Sequence, residues 1–221
     1  MSRPVIALRR ATSDDLEDVV AIKEALSMPV DAATTGGGGF ILGVSREAYA
    51  AAIAAGCVTL LALDAQTVGY ARALPDPQQR AAEVWRRREA IAWDGLAPRD
   101  LEERAIAYFD QLAVLPGPHR RGPGAALALR VLAELFAGGH EHVLTTTLRA
   151  PVRNTAAYAY LRRIGARRVG ALDERYPGVG AVVSDIHHLD RPTFERHVLS
   201  FRDRYPTATR LGAIVAAGLG G

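Results

Sequence analysis

From Ala105 to Leu115 nearly every residue is apolar, and the chain then runs through Pro116-Gly-Pro118 and a pair of arginines straight into a helical pattern opening at Gly122. This stretch constrains the fold more than any other. An apolar run that ends at prolines, which cannot continue a ladder, predicts a buried central strand. Beyond it, Ala125, Leu129, Leu132 and Phe136 recur on one helical face, and Gly138-Gly139 stop the helix. A strand turning through glycines into a helix makes an anion cradle. The first helical turn carries N–H groups without intrahelical partners and a partial positive charge of about half an elementary unit. Gly122 and Gly124 let a ligand approach with no Cβ in the way, and Pro123 presets the turn. Arg120 and Arg121 add mobile cationic donors.

The rest of the chain alternates in the manner of a mixed α/β sheet of about seven strands flanked by helices. Strands are predicted at 5–10, 58–64, 67–74, 105–115, 142–148, 167–172 and 181–189. Helices are predicted from Thr12-Ser-Asp-Asp15 to about Leu26, over 45–53, 122–136, from about Asn154 to Ile164, and from Pro192 to about Arg204. Ala65-Gln66 reads as the hairpin turn between the second and third strands. Residues 75–103 break the pattern with Pro-Asp-Pro, the run Arg86-Arg87-Arg88, Trp85 and Trp93. They read as a mostly helical insertion that shapes a substrate pocket or a homodimer contact, with the tryptophans as apolar wall or as pins onto the core. Residues 1–190 then form one domain carrying this insertion, and 191–221 a C-terminal helix and tail.

Composition excludes several classes. Apolar residues make up 49% and charged residues 23% of the 221, so the chain has enough apolar surface to offset its ordering entropy. The start has no signal-peptide core and no stretch approaches the roughly 18 apolar residues of a membrane helix, so a cytoplasmic protein without a membrane partner is expected. A net charge of +3 suits an anionic small ligand, not a broad nucleic-acid footprint, even with Arg162, Arg163, Arg167 and Arg168 close together. The single cysteine, Cys57, rules out an internal disulfide and opens an apolar strand, which makes it a core thiol. Six histidines, including His140, His142 and the pair His187-His188, do not amount to a metal site, which needs three or four converging ligands. Gly36 to Gly39 lack the Gly-Lys-Ser/Thr of a phosphate loop and read as a loop at the edge of the site.

Leu112, Val114 and Pro116 followed by Gly122 and Gly124 resemble the signature of the GNAT acyltransferases: Leu-x-Val-x-Pro on the fourth strand, then Gln/Arg-x-x-Gly-x-Gly/Ala opening a helix. The Gln/Arg position falls on His119, whose imidazole can hydrogen-bond a phosphate oxygen. The likeness continues at Asn154, Ala157 and Gly165, while the position of the family's frequent acid tyrosine holds Leu161, with Tyr160 and Tyr158 beside it. A Rossmann fold would want glycine in place of Leu127 and an acid in place of Leu148 or Arg149.

The resemblance implies an acyl-CoA co-substrate, acetyl-CoA or a relative, with no metal. Its pantetheine arm would lie along Leu112, Ala113 and Val114, and its pyrophosphate on the 119–125 turn (His119, Arg120, Arg121, Gly122, Pro123, Gly124, Ala125), with Asn154 nearby. It further implies direct attack by an amine, which needs a base and an acid. Asp110, just upstream of the cofactor strand, is the candidate base, against the alternative of a plain ion pair; Tyr160 is the candidate acid, against a packed core tyrosine. The expected acceptor is a small-molecule amine. A peptide or protein amine, or a non-catalytic acyl-CoA-binding role, are the alternatives.

Overall fold

The computed structural model describes residues 5–28, 34–35, 39–40, 44–117, 122–176 and 179–204. The strands are β1 (Ile6–Arg10), β2 (Thr34–Thr35), β3 (Val58–Leu63), β4 (Gln66–Leu74), β5 (Ala92–Trp93), β6 (Ile106–Val114), β7 (His142–Ala150), β8 (Arg153–Asn154), β9 (Arg167–Tyr176) and β10 (Gly180–Asp190). The helices are α1 (Leu16–Ala25), α2 (Arg46–Ala54), α3 (Gln78–Ala81), α4 (Glu83–Arg86), α5 (Arg99–Glu102), α6 (Gly122–Ala137), α7 (Thr155–Arg163) and α8 (Arg191–Arg204). One eight-stranded sheet runs β1-β3-β4-β6-β7-β10-β9-β5, and β2 pairs with β8 apart from it. Seven of the eight are the strands expected from the sequence, and β5 comes from the insertion.

Every ladder in the large sheet is antiparallel except β6 with β7. One face packs α1, α2 and the insertion around Leu60, Tyr70, Ile106 and Ile186. The other packs α6 and α8 through Leu127, Leu132, Phe194 and Val198, with the Phe136 and Phe194 rings 5.0 Å apart. The continuous apolar faces of β6 and α6 demand this sandwich, since each fully buried leucine contributes about 1.5–3 kcal/mol.

Local chemistry fixes the element ends. Asp15 accepts from the Thr12 N–H at 2.8 Å and the Thr12 hydroxyl at 2.9 Å, closing a short 3-10 turn at Ser13–Asp15 that leads into α1. Arg9 holds the same carboxylate through two nitrogens, at 2.6 and 2.7 Å. The β3–β4 turn lies one residue earlier than its sequence suggests: its central residues are Asp64 (φ 48°) and Ala65 (φ 70°). Both angles are positive because that turn's twist matches the strands it joins, and the Val5 N–H donating to Asp64 Oδ1 at 2.8 Å holds it in place.

The insertion is not simply helical. It leaves β4 in the middle of the sheet, crosses the α1/α2 face, and places β5 on the edge strand β9, with Ala92 opposite Ala171 and Trp93 opposite Gly170. Trp85 is buried between the guanidinium groups of Arg80 and Arg88, 5.2 and 5.3 Å from its ring centre, and Trp93 Nε1 donates to the Arg88 carbonyl at 2.8 Å. The tryptophans therefore pin the insertion. The arginine run is consumed likewise, Arg86 pairing with Glu83, Arg87 with Glu174 and Arg88 with Glu102.

Candidate active site

The sheet opens where β6 and β7 part. Their parallel pairing ends at Tyr108 opposite Leu144, while β6 stays paired with β4 as far as Val114 and β7 with β10 as far as Ala150. A register shift in the β4–β6 ladder sets Arg72 opposite Gln111 and Ala73 opposite Phe109, which leaves Asp110 as the extra, bulged residue. Bulges bend the strand and re-aim a side chain. Here the bulge turns Gln111 toward α2, where its Oε1 accepts from the Tyr49 and Tyr70 hydroxyls at 2.9 and 3.0 Å. Across the mouth of the gap β2 pairs with β8, tying the segment after α1 to the start of α7. A cavity of about 1600 Å³ runs through the gap from the insertion and α2 on one face to α6 and α7 on the other.

Toward α6 the cavity is lined by Leu112 and Val114 of β6, Gly124, Ala125 and Leu129 of α6, and Asn154 and Tyr160 of the α7 region. Ala113 is 1% exposed and packs with the α1/α2 face. On the side of β7, the β6 backbone beyond Tyr108 has no strand partner among the described residues. A Cβ placed on Gly122 would meet nothing within 4 Å, whereas one on Gly124 would lie 3.1 Å from Val114 Cγ2. Gly122 thus leaves open space at the helix start, and Gly124 lets α6 lie close against β6. Pro123 occupies the first turn of α6 and is half-buried. His119, Arg120 and Arg121 lie outside the described residues, as do Gly36 to Gly38. Asn154 caps α7, its Oδ1 accepting from the Ala157 N–H at 3.1 Å.

Asp110 faces the insertion side and forms an ion pair with Arg72; the two side chains are 18% and 13% exposed. Burial lifts its pKa above the ordinary carboxylate value, and the Arg72 charge and hydrogen bond only partly offset this. Tyr160 lines the same cavity, and its hydroxyl is shielded from solvent with no hydrogen-bond partner among the described residues. Burial pushes that phenol well up, so it stays protonated. Tyr158 is occupied elsewhere: its hydroxyl donates to Asp185 at 2.6 Å, and that carboxylate also holds Arg168 at 2.9 Å.

Three further residues at this fork escape a linear reading, since strand pairing and packing decide what their side chains meet. Arg72 meets Asp110 only through the β4–β6 pairing. Tyr108 reaches Thr146 across the parting strands at 2.7 Å. Thr147, 3% exposed, lines the cavity, and among the described residues its solvent-shielded hydroxyl oxygen has no hydrogen-bond partner. Buried unpartnered polar atoms are uncommon, and three on residues lining one cavity (Arg72 Nε, Thr147 Oγ1 and the Tyr160 hydroxyl oxygen) fit a polar ligand that supplies missing bonds. Cys57 is a buried thiol raised by desolvation, as a core cysteine should be. Among the described residues no three His, Cys, Asp or Glu side chains converge as metal ligands, and no helix is long and apolar enough to cross a membrane.

A mixed sheet with a single splayed parallel pair, a bulge at the fork and a glycine-led helix behind it defines the class of fold. No protein-family model and no curated protein sequence matches the chain. Solved structures do. A ribosomal-protein-alanine N-acetyltransferase from Brucella melitensis superposes with a TM-score of 0.57 at 17% identity, covering 83% of this chain and 99% of that one. The Salmonella typhimurium acetyltransferase structure yncA with its cofactor acetyl-CoA gives 0.56 at 14% identity, over 84% and 94%. A GNAT-family acetyltransferase from Bacillus cereus gives 0.52 at 14% identity, over 84% and 97%. The chain has the GNAT acetyltransferase fold.

Proposed function

We propose that the protein is an acyl-CoA-dependent N-acyltransferase that acylates a small-molecule primary amine by direct attack. The observation that carries this reading is one cavity threading the β6–β7 gap, with a buried carboxyl, Asp110, on one side and a buried unpartnered phenol, Tyr160, on the other. The free β6 edge and the unpartnered Thr147 and Tyr160 hydroxyls suit a pantetheine arm, whose amides both donate and accept. Acyl-CoA supplies an acyl group activated as a thioester.

The chain's own residues do the proton work. Asp110, with its pKa raised by burial, takes the proton of the acceptor's ammonium directly or through one water, which frees the nitrogen lone pair. Arg72 holds that carboxylate in place and keeps its pKa from rising further. As the C–N bond forms and the C–S bond breaks, Tyr160 gives its proton to the departing sulfur, the nitrogen's second proton passes to water as the amide forms, Asp110 later releases its proton to solvent, and Tyr160 is reprotonated. Its burial keeps it the neutral donor this step needs. The first turn of α6, opening at Gly122, faces the anionic end of the co-substrate with unpaired N–H groups.

The test is thiol release from acetyl-CoA in the presence of a panel of primary amines, with the product identified by mass. The reading requires release that depends on the amine and yields the N-acetyl amine. Amine-independent release alone, or none with any acceptor, overturns it.

A further inference from the structure

We infer that the acceptor is a monoamine on an apolar body, its nitrogen at Asp110 and its body against the wall that the insertion and β9 build over the sheet. This rests on the transferase reading and narrows it. Among the described residues, the carboxylates that line the cavity are Glu83, Asp110 and Glu174, and each is matched by an arginine. Asp110 pairs with Arg72, Glu83 with Arg86 at 3.2 Å, and Glu174 with Arg87. Glu174, whose side chain is 10% exposed, also accepts from the Tyr176 hydroxyl at 2.7 Å. Among the described residues the acceptor side is charge-balanced before anything binds. One amine can give its proton to Asp110 and become neutral there. A second ammonium could meet Glu83 only at the solvent-exposed rim, where the Glu83 and Arg86 side chains are 64% and 66% exposed and an ion pair contributes little; deeper in, it would have to break the Glu174–Arg87 pair or lie unpaired, and both are costly.

The rest of the wall is mostly apolar, with Gln78, Tyr176 and Ser184 as its polar side chains. Leu74, Ala81, Ala82 and Val84 come from the end of β4 and the insertion, and Leu172 and Val182 from β9 and β10. Such a wall rewards methylene and aryl groups and gives backbone amides few groups to bond. An extended peptide would bring more N–H and C=O groups into it than Gln78, Tyr176 and Ser184 can satisfy. The insertion is also fastened at its far side, through β5 on β9 and Arg87 on Glu174, so it lies over this wall.

The experiment uses the full-length chain, acetyl-CoA and three acceptor series: n-alkyl and phenylalkyl amines of increasing length, α,ω-diamines of the same lengths, and short peptides with free N-termini. The expected result is kcat/KM rising about 4-fold per added methylene in the first series, the factor that about 0.8 kcal/mol per buried CH₂ gives. Diamines and peptides should fall at least tenfold below the monoamine of matching length. Val84→Asp should cut the longer amines by at least tenfold while calorimetry shows unchanged acetyl-CoA affinity. A flat series, preferred diamines or preferred peptides, each with normal acetyl-CoA binding, overturns the inference alone. A folded protein that does not bind acetyl-CoA overturns it together with the transferase reading.

Discussion

Tyr108 on β6 and Thr146 on β7 share a hydrogen bond of 2.7 Å at the point where the two strands separate. Tyr108 is the last β6 residue in register with β7, so this bond closes the fork just below the gap. Burial, and secondarily the nearby Asp110 charge, push the Tyr108 phenol far up, so it remains neutral. Removing either partner should cost about 0.5–1.5 kcal/mol, and more where the remaining hydroxyl is left buried and unbonded. Urea unfolding of Tyr108→Phe, Thr146→Val and the double variant should give a double variant less destabilised than the sum of the singles. Simple additivity would mean the bond does not couple the strands.

In the proposed mechanism Asp110 sets the acidic limb of the reaction. Because burial raises its pKa, kcat/KM should rise with pH through a value above the ordinary aspartate pKa of about 3.9. Arg72→Met removes the charge that favours the carboxylate and should move the limb to still higher pH. Asp110→Asn should lower kcat by about 10²–10⁴ and abolish the limb. A pH–rate profile unchanged in Asp110→Asn would show that this residue is only an ion-pair partner.

Tyr160 and Tyr158 are separated by what their hydroxyls touch. Tyr160→Phe should reduce kcat by about 10² with the acetyl-CoA Kd nearly unchanged. Tyr158→Phe should leave kcat within a few-fold, since its hydroxyl serves Asp185. Stopped-flow thiol release on both variants distinguishes them, and the reverse ranking would reassign the acid.

The two glycines of the α6 turn should respond differently to a side chain. A Cβ on Gly122 meets no chain atom within 4 Å, so Gly122→Val should keep its melting temperature and lose more than tenfold in acetyl-CoA affinity. In Gly124→Val the new atoms press on Val114, and overpacking of this kind costs about 1–3 kcal/mol. Calorimetric titration alongside thermal unfolding reads both effects.

A buried histidine pair gives the stability a pH dependence of its own. His142 Nδ1 lies 2.9 Å from His188 Nε2, and burial, with His142 and Arg167 adding to it and Asp190 opposing, pushes His188 down to about 4. The unfolded chain therefore binds more protons between about pH 4 and 6.5. Stability should be fully present above about 6.5 and fall as pH drops toward 4. In His188→Gln the melting temperature should vary less over that window; an equally steep profile would place the titration elsewhere.

Much of this was legible in the sequence because periodicity is local. The apolar run into β6, the α6 face and the Asn154 cap depend on neighbours within a turn or a strand, and they lie where the pattern puts them. What escaped is pairwise. The bulge at Asp110 is a mismatch between two strands, visible in neither alone. Gly124 reads as a ligand-facing glycine and does line the cavity, but the atom that crowds its Cβ is on Val114 in the preceding strand, which its own neighbours do not reveal. β5 is two residues long and becomes a strand only because β9 offers an unpaired edge. Trp85 and Trp93 read equally well as wall or pin, and what decides the matter is the burial of Trp85 in the core against distant residues.

The central claim, that the gap between β6 and β7 seats the acyl-CoA, is tested most directly by backbone hydrogen exchange with and without acetyl-CoA. The account predicts slowed exchange in the β6 amides from Asp110 to Val114 that point toward β7, and in the first turn of α6 from Gly122 onward, with the β1–β3 ladder unchanged. Saturable acetyl-CoA binding that leaves both of those segments exchanging as in the free protein would contradict it.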